Sequence, residues 1–143
     1  MQESILADDR VTFADYERAV RATVECIREQ GFAVDGPTRF PDAPIIVVEP
    51  GADPSMRFVW TFPDVPEQVV RDEVAEGCRA QWSYWVERAW ELQNEPSEQD
   101  IQDWLERAWQ CARDRDLALS DPPTEEDATA AIAAGCRPWE GSG

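Results

Sequence analysis

Cys78-Arg-Ala-Gln-Trp82-Ser-Tyr-Trp85-Val-Glu-Arg-Ala-Trp90 decides how this chain is read, because Trp104-Leu-Glu-Arg-Ala-Trp109-Gln-Cys111 answers it a short distance on. The stretch from Cys78 to Cys111 holds five of the seven tryptophans, and its two W-x-E-R-A-W hexamers stand 19 residues apart. Tryptophan carries the largest apolar area of any side chain, so helices bearing Trp82, Trp85, Trp90, Trp104 and Trp109 must face a core or a partner. Two copies are too few for a solenoid. The pair reads as two packed helices.

Upstream, Thr12 with Asp15 forms a capping box, and Phe13, Tyr16, Val20, Val24 and Ile27 follow at helical spacing up to Gly31, which predicts a helix over 12–30. Gly36, Pro37, Pro41 and Pro44 forbid a helix. Ile45–Glu49 then reads as a strand, closed by the turn at Pro50–Ser55. Met56, Phe58, Trp60 and Phe62 alternate with Arg57, Val59 and Thr61, the pattern of a second strand with one buried face. Phe32–Val34 offers a third. A lone hairpin is marginal in water, so it is expected to lie on the helices.

Asp64 and Pro66 suit the start of the second long helix, predicted to run to Gln93 with Val70, Val74, Cys78, Trp82, Trp85, Ala89 and Leu92 on its inward stripe. Ser97 with Asp100 caps the third, predicted to end near Asp116. The short linker between them suggests an antiparallel pair. Thr124 with Asp127 caps a short alanine-rich helix that stops at Gly135. The fold expected is α+β, mainly α: three longer helices and a short C-terminal helix packed on a small antiparallel β-hairpin or three-stranded sheet. The length of 143 residues fits a single domain, 1–143, with 1–10 and 140–143 read as loose tails.

Thirty acids against 13 arginines leave a net charge of −17, which disfavours nucleic acid or an anionic membrane as partner. Residues 64–127 carry most of it, 18 acids against 6 arginines, for a net of −12. One reading is an acidic nucleic-acid mimic that inhibits a basic protein; the plainer one is a solubilising surface. The chain has no histidine and no lysine, which removes the commonest general base, zinc nitrogen ligand and Schiff-base amine together. No catalytic, cofactor-binding or metal set is therefore expected. The acids around Asp114, Asp116 and Asp121–Asp127 lack the spacing of a calcium loop. No apolar run is long enough to span a bilayer, and Met1–Arg10 lacks the basic start and apolar centre of an export signal.

Cys26, Cys78, Cys111 and Cys136 show no C-x-x-C spacing and lie in four different segments, which favours two disulfides in an oxidising compartment over zinc or a reactive thiol. The hairpin returns the chain so that Cys26 can meet Cys78, and the proline break after the third helix lets Cys136 fold back on Cys111. The serious rival is Cys78 with Cys111, which the antiparallel helix pair would also bring near one another.

Trp82, Trp85, Trp104 and Trp109, with Glu87, Asp103 and Glu106 nearby, suggest a sugar platform, though the first three indoles lie on inward stripes. Trp90 and Trp109 sit off those stripes and are the candidates for partner contact.

Thr12-Phe-Ala-Asp-Tyr16-Glu-Arg-Ala19, then Cys26-Ile27 and Gly31, then Cys78 followed by Val86 and Trp90, resembles an uncharacterised group of actinobacterial proteins, many predicted to be secreted or lipid-anchored. The resemblance implies paired cysteines and an extracellular or cell-envelope setting, and it implies no activity. The functional expectation is a non-catalytic, disulfide-stabilised extracytoplasmic domain that binds or scaffolds a protein partner. The alternatives are the cytoplasmic acidic inhibitor and a glycan-binding protein.

Overall fold

The computed structural model describes residues 2–7, 10–43, 48–63 and 67–140, with every side chain there except that of Val70. It is mainly helical with a small two-stranded antiparallel sheet, as the periodicity predicts. The chain divides into two compact units, Met1–Pro44 with Ser55–Glu95 and Ile45–Pro54 with Pro96–Gly143.

The first unit opens with α1 (Gln2–Leu6), in the stretch expected to be a loose tail; Ile5 is buried there and anchors it. Helix α2 (Phe13–Glu29) starts from Thr12, whose hydroxyl accepts from the Asp15 amide while Asp15 accepts from the Thr12 amide. Its inward face divides between two clusters. Tyr16, Ala19 and Val20 meet Ile5, Val11, Val86 and Trp90, while Val24 and Ile27 meet Val34 and Cys78.

The sheet pairs β1 (Asp35–Thr38) with β2 (Val59–Thr61), in register Asp35 to Thr61 and Thr38 to Val59 with an irregularity between. The alternating strand pairs with 35–38; of the strand expected at 45–49, Ile45–Val47 lie outside the described residues, and Val48 and Glu49 are not in a strand. Gly36 makes the pairing feasible: its φ is +112°, and a Cβ there would stand 2.7 Å from Val59 O. Phe58, Trp60 and Phe62 turn toward the helices, as expected, whereas Met56 falls in a 3-10 turn (Pro54–Met56) and is exposed.

The long second helix is broken. It comprises α3 (Gln68–Trp82) and α4 (Tyr84–Gln93), separated at Ser83, whose φ of −138° is not helical. The expected cap at Asp64 and Pro66 lies outside the described residues. In an unbroken helix Ala80 O would accept from residue 84, and the Trp85 amide would donate to residue 81. At the break Gln2 takes both: its Nε2 donates to Ala80 O at 2.9 Å and its Oε1 accepts from Trp85 N at 2.8 Å. Ser83 is buried and spends its hydroxyl inward. Its Oγ donates to Glu87 Oε2 at 2.7 Å and lies 2.6 Å from Thr23 Oγ1, so with its one proton committed it accepts from Thr23.

In the second unit α5 (Glu98–Asp114) and α6 (Glu125–Ala133) both start from the expected boxes, Ser97 with Asp100 and Thr124 with Asp127. Ala108, Ala112, Ala128 and Ala131 are buried, and their small side chains let the two helix backbones approach. Trp104 is buried against them and donates to Ala52 O at 3.0 Å, which ties segment 48–54 to the helix. Gly135 ends α6 with φ +105°, as expected. A 3-10 turn at Pro138–Glu140 follows, whose last residue, Glu140, begins the stretch 140–143 read as a tail.

The cysteines are bridged as Cys26–Cys78 and Cys111–Cys136, with Cα separations of 5.8 and 6.1 Å. Each bridge lies within one unit.

Candidate functional site

The two hexamers present different faces. In α5 the first, second and fifth residues of the motif, Trp104, Leu105 and Ala108, are buried. In α4 the second and sixth are buried, Val86 and Trp90, while Trp85 is 58% exposed. The break at Ser83 causes the difference: it resets the helical phase, so Trp85 and Leu92 leave the core, Ala89 stays at its edge, and the stripe through Val86 and Trp90 enters it. This overturns Trp90 as a partner contact. Its ring stacks on Tyr16 with centroids 5.4 Å apart, and its Nε1 donates to Met56 O at 3.0 Å. Tyr16 is buried with it; burial raises the phenol pKa above its ordinary value, and the Phe58 amide donating to its oxygen works in the opposite direction.

What α4 shows to solvent is instead Tyr84, Trp85 and Leu92. Tyr84 and Trp85 meet edge to face at 4.9 Å, and the Arg79 guanidinium lies 5.8 Å from the Tyr84 ring centre. The sequence pattern concealed this face because it counted Trp85 and Leu92 on the inward stripe.

Trp109, the other candidate, is half-buried and lines an open groove of about 590 Å³ in the second unit. The groove is built on one helix face. Asp103, Glu106, Arg107, Gln110 and Arg113 recur at offsets of 0, 3, 4, 7 and 10 along α5, opposite its buried stripe, and Trp109 and Pro123 complete the lining. The Trp109 indole donates to Thr124 O at 2.9 Å, which fixes the ring against the start of α6. Arg107 Nε donates to Pro138 O at 2.6 Å, so its position is also set. Asp103 accepts from Gln99 at 2.7 Å, Glu106 from Gln102 at 3.3 Å, and Gln110 donates to Asp114 at 3.0 Å. Arg113 is exposed, and its guanidinium makes no hydrogen bond or ion pair among the described residues. Two carboxylates and two guanidiniums balance in the lining.

Of the residues read as a sugar platform, the structure therefore brings Trp109, Asp103 and Glu106 together. It places Trp104 in the core, and Trp82, Trp85 and Glu87 belong to the other unit. Glu87 joins the Ser83 network and an ion pair with Arg79 at 3.4 Å.

Among the described residues the carboxyl groups held below their ordinary value of 3.8 are Asp15, Asp100 and Asp127. In each the leading cause is a hydrogen bond from the backbone amide of the cap residue, Thr12, Ser97 or Thr124. These shifts belong to helix ends. Among the described residues no group of three or more cysteine, aspartate or glutamate side chains is placed to hold a metal ion, and no helix is long and apolar enough to cross a membrane. No family model, no curated protein and no solved structure matches the chain.

Proposed function

We propose that this protein is a non-catalytic, disulfide-stabilised extracytoplasmic binding domain. The observation that carries the reading is that all four cysteines are used in bridges, one closing each unit, with Cys78 and Cys136 almost wholly buried. Such bridges persist in oxidising compartments and are kept open where glutathione and thioredoxin act. The missing histidine and lysine, and the use of Asp15, Asp100 and Asp127, the carboxyls held below their ordinary value among the described residues, at helix caps, support binding over catalysis. The acids are spread over both units. The first holds 17 acids and 9 arginines, net −8, and the second 13 and 4, net −9, which supports a solubilising surface over a phosphate-like track.

The thiol state in the producing cell tests the setting. Protein trapped from that cell with acid and labelled under denaturing conditions with a maleimide is expected to take up label only after reduction. Four labelled thiols without reductant would overturn the extracytoplasmic reading.

A further inference from the structure

We infer that the groove beside Trp109 binds a short neutral carbohydrate. The inference rests on the reading of the chain as a binding domain and names the ligand class for the second unit.

The groove is lined by one apolar ring, that of Trp109, and a row of polar groups beside it. Because the indole N–H is already spent on Thr124 O, Trp109 has only its ring to offer a ligand, and its orientation is set before any ligand arrives. An indole face is electron-rich and attracts the weakly positive C–H groups on the apolar face of a pyranose. A sugar hydroxyl donates once and accepts as well, so it is satisfied by a carboxylate on one side and an N–H on the other. Asp103 and Glu106 supply the acceptors; Gln110 and Arg113 supply donors along the same helix face, and the Arg113 guanidinium has no partner of its own among the described residues. Bonds to these charged groups are the stronger kind, and a hydroxyl can form them without bringing in a charge.

The charge pattern narrows the class. An anionic ligand would meet two carboxylates in a chain of net charge −17, and a cationic one would meet two guanidiniums. A purely apolar ligand would strip water from four charged side chains and return nothing to them. A neutral polyol with one apolar face fits both the ring and the row. The groove volume of about 590 Å³ falls within the range of about 300–1,000 Å³ usual for small-ligand sites.

The test is a titration of the full oxidised chain, followed by the indole N–H resonances in two-dimensional NMR, with the Trp109 signal assigned from Trp109→Phe. The probes are neutral tetrasaccharides of glucose, mannose, galactose and N-acetylglucosamine, with a tetragalacturonate and an uncharged tetrapeptide as controls. At least one neutral sugar is expected to give a saturable shift of the Trp109 signal. Trp109→Ala should weaken that affinity about tenfold or more, equivalent to about 1.4 kcal/mol. The exposed Arg113→Ala and the carboxylate change Asp103→Asn should each weaken it severalfold with thermal unfolding unchanged, which keeps the test valid if Trp109→Ala unfolds. Trp85→Ala, in the other unit, should leave it as it was.

Silence from all four sugars up to about 10 mM, where even millimolar affinity would register, would overturn the proposal. So would binding of the tetrapeptide or tetragalacturonate alone, or sugar binding indifferent to Asp103 and Arg113. A silent titration with both bridges intact sinks only the ligand class, whereas free thiols in the producing cell sink the extracytoplasmic reading and leave the titration standing.

Discussion

Replacing Ser83 by alanine removes one atom and, on the geometry here, two hydrogen bonds. The bond from Thr23 is 2.6 Å long between two buried side chains, and the one to Glu87 Oε2 is 2.7 Å. Without Ser83 the Thr23 hydroxyl stays buried with no other partner among the described residues, a penalty of about 1–3 kcal/mol. Glu87 loses a charge-assisted bond, but its side chain is 21% exposed and water replaces part of it, so about 1 kcal/mol is the fair share. The total is about 3 kcal/mol, or a drop of about 1.5 M in the urea midpoint if m is about 2 kcal/mol/M. Thr23→Val supplies the second corner of a double-mutant cycle. With both hydroxyls gone no buried donor is stranded, so Ser83→Ala with Thr23→Val should cost less than the two single changes added, by about 1–2 kcal/mol. The assay is urea unfolding with the disulfides intact, followed by circular dichroism. Single changes that add to within about 0.3 kcal/mol would refute the network as the device that holds the helix break.

Trp90→Ala should cost about 3–5 kcal/mol and Trp85→Ala within about 0.5, measured by the same unfolding curves; equal costs would contradict the phase reset between the two hexamer copies. Cys26→Ser with Cys78→Ser opens a loop of 52-residue separation and should cost about 4 kcal/mol; Cys111→Ser with Cys136→Ser opens one of 25 and should cost roughly 3.5, by loop entropy alone. Calorimetry on the two double variants gives the order, and a much larger loss from the shorter loop would count against the entropic account. The cap aspartates carry a pH signature. Their folded pKa values lie below 3.8, so as pH falls the unfolded chain takes up their protons first; the stability they add is full above about pH 4 and is lost below it as the folded carboxyls protonate. The stability difference between the wild type and Asp127→Asn should therefore shrink as the pH is lowered from 5 toward 2, and a constant difference would show that the Asp127 charge adds nothing at that cap.

Much of the fold was legible because its signals are local. Thr12 with Asp15, Ser97 with Asp100 and Thr124 with Asp127 each place donor and acceptor three residues apart, so the sequence contains the whole interaction. Gly31 and Gly135 mark helix ends through their own φ angles, +94° and +105°. The groove was partly legible for the same reason: Trp109, Asp103 and Glu106 lie on one helix, and their spacing alone puts them on neighbouring faces.

Sequence by itself thus determined the starts of α2, α5 and α6, the helix ends marked by Gly31 and Gly135 and the dominance of helix, and its segment order favoured the cysteine pairing that forms. What it did not determine depends on groups far apart in the chain. Ser83 breaks a helix that local propensity would continue, because Thr23, 60 residues away, bonds its hydroxyl, and Gln2 satisfies the freed backbone groups of Ala80 and Trp85. That break rotates α4 and exchanges the burial of Trp85 and Trp90. Likewise the strand at Val59–Thr61 shows its buried face by alternation, but its partner is chosen by where Gly36 lets a backbone approach Val59. Periodicity tells which residues share a face; only the tertiary structure decides which way that face points, because a single unpredicted break changes the helical phase of everything after it.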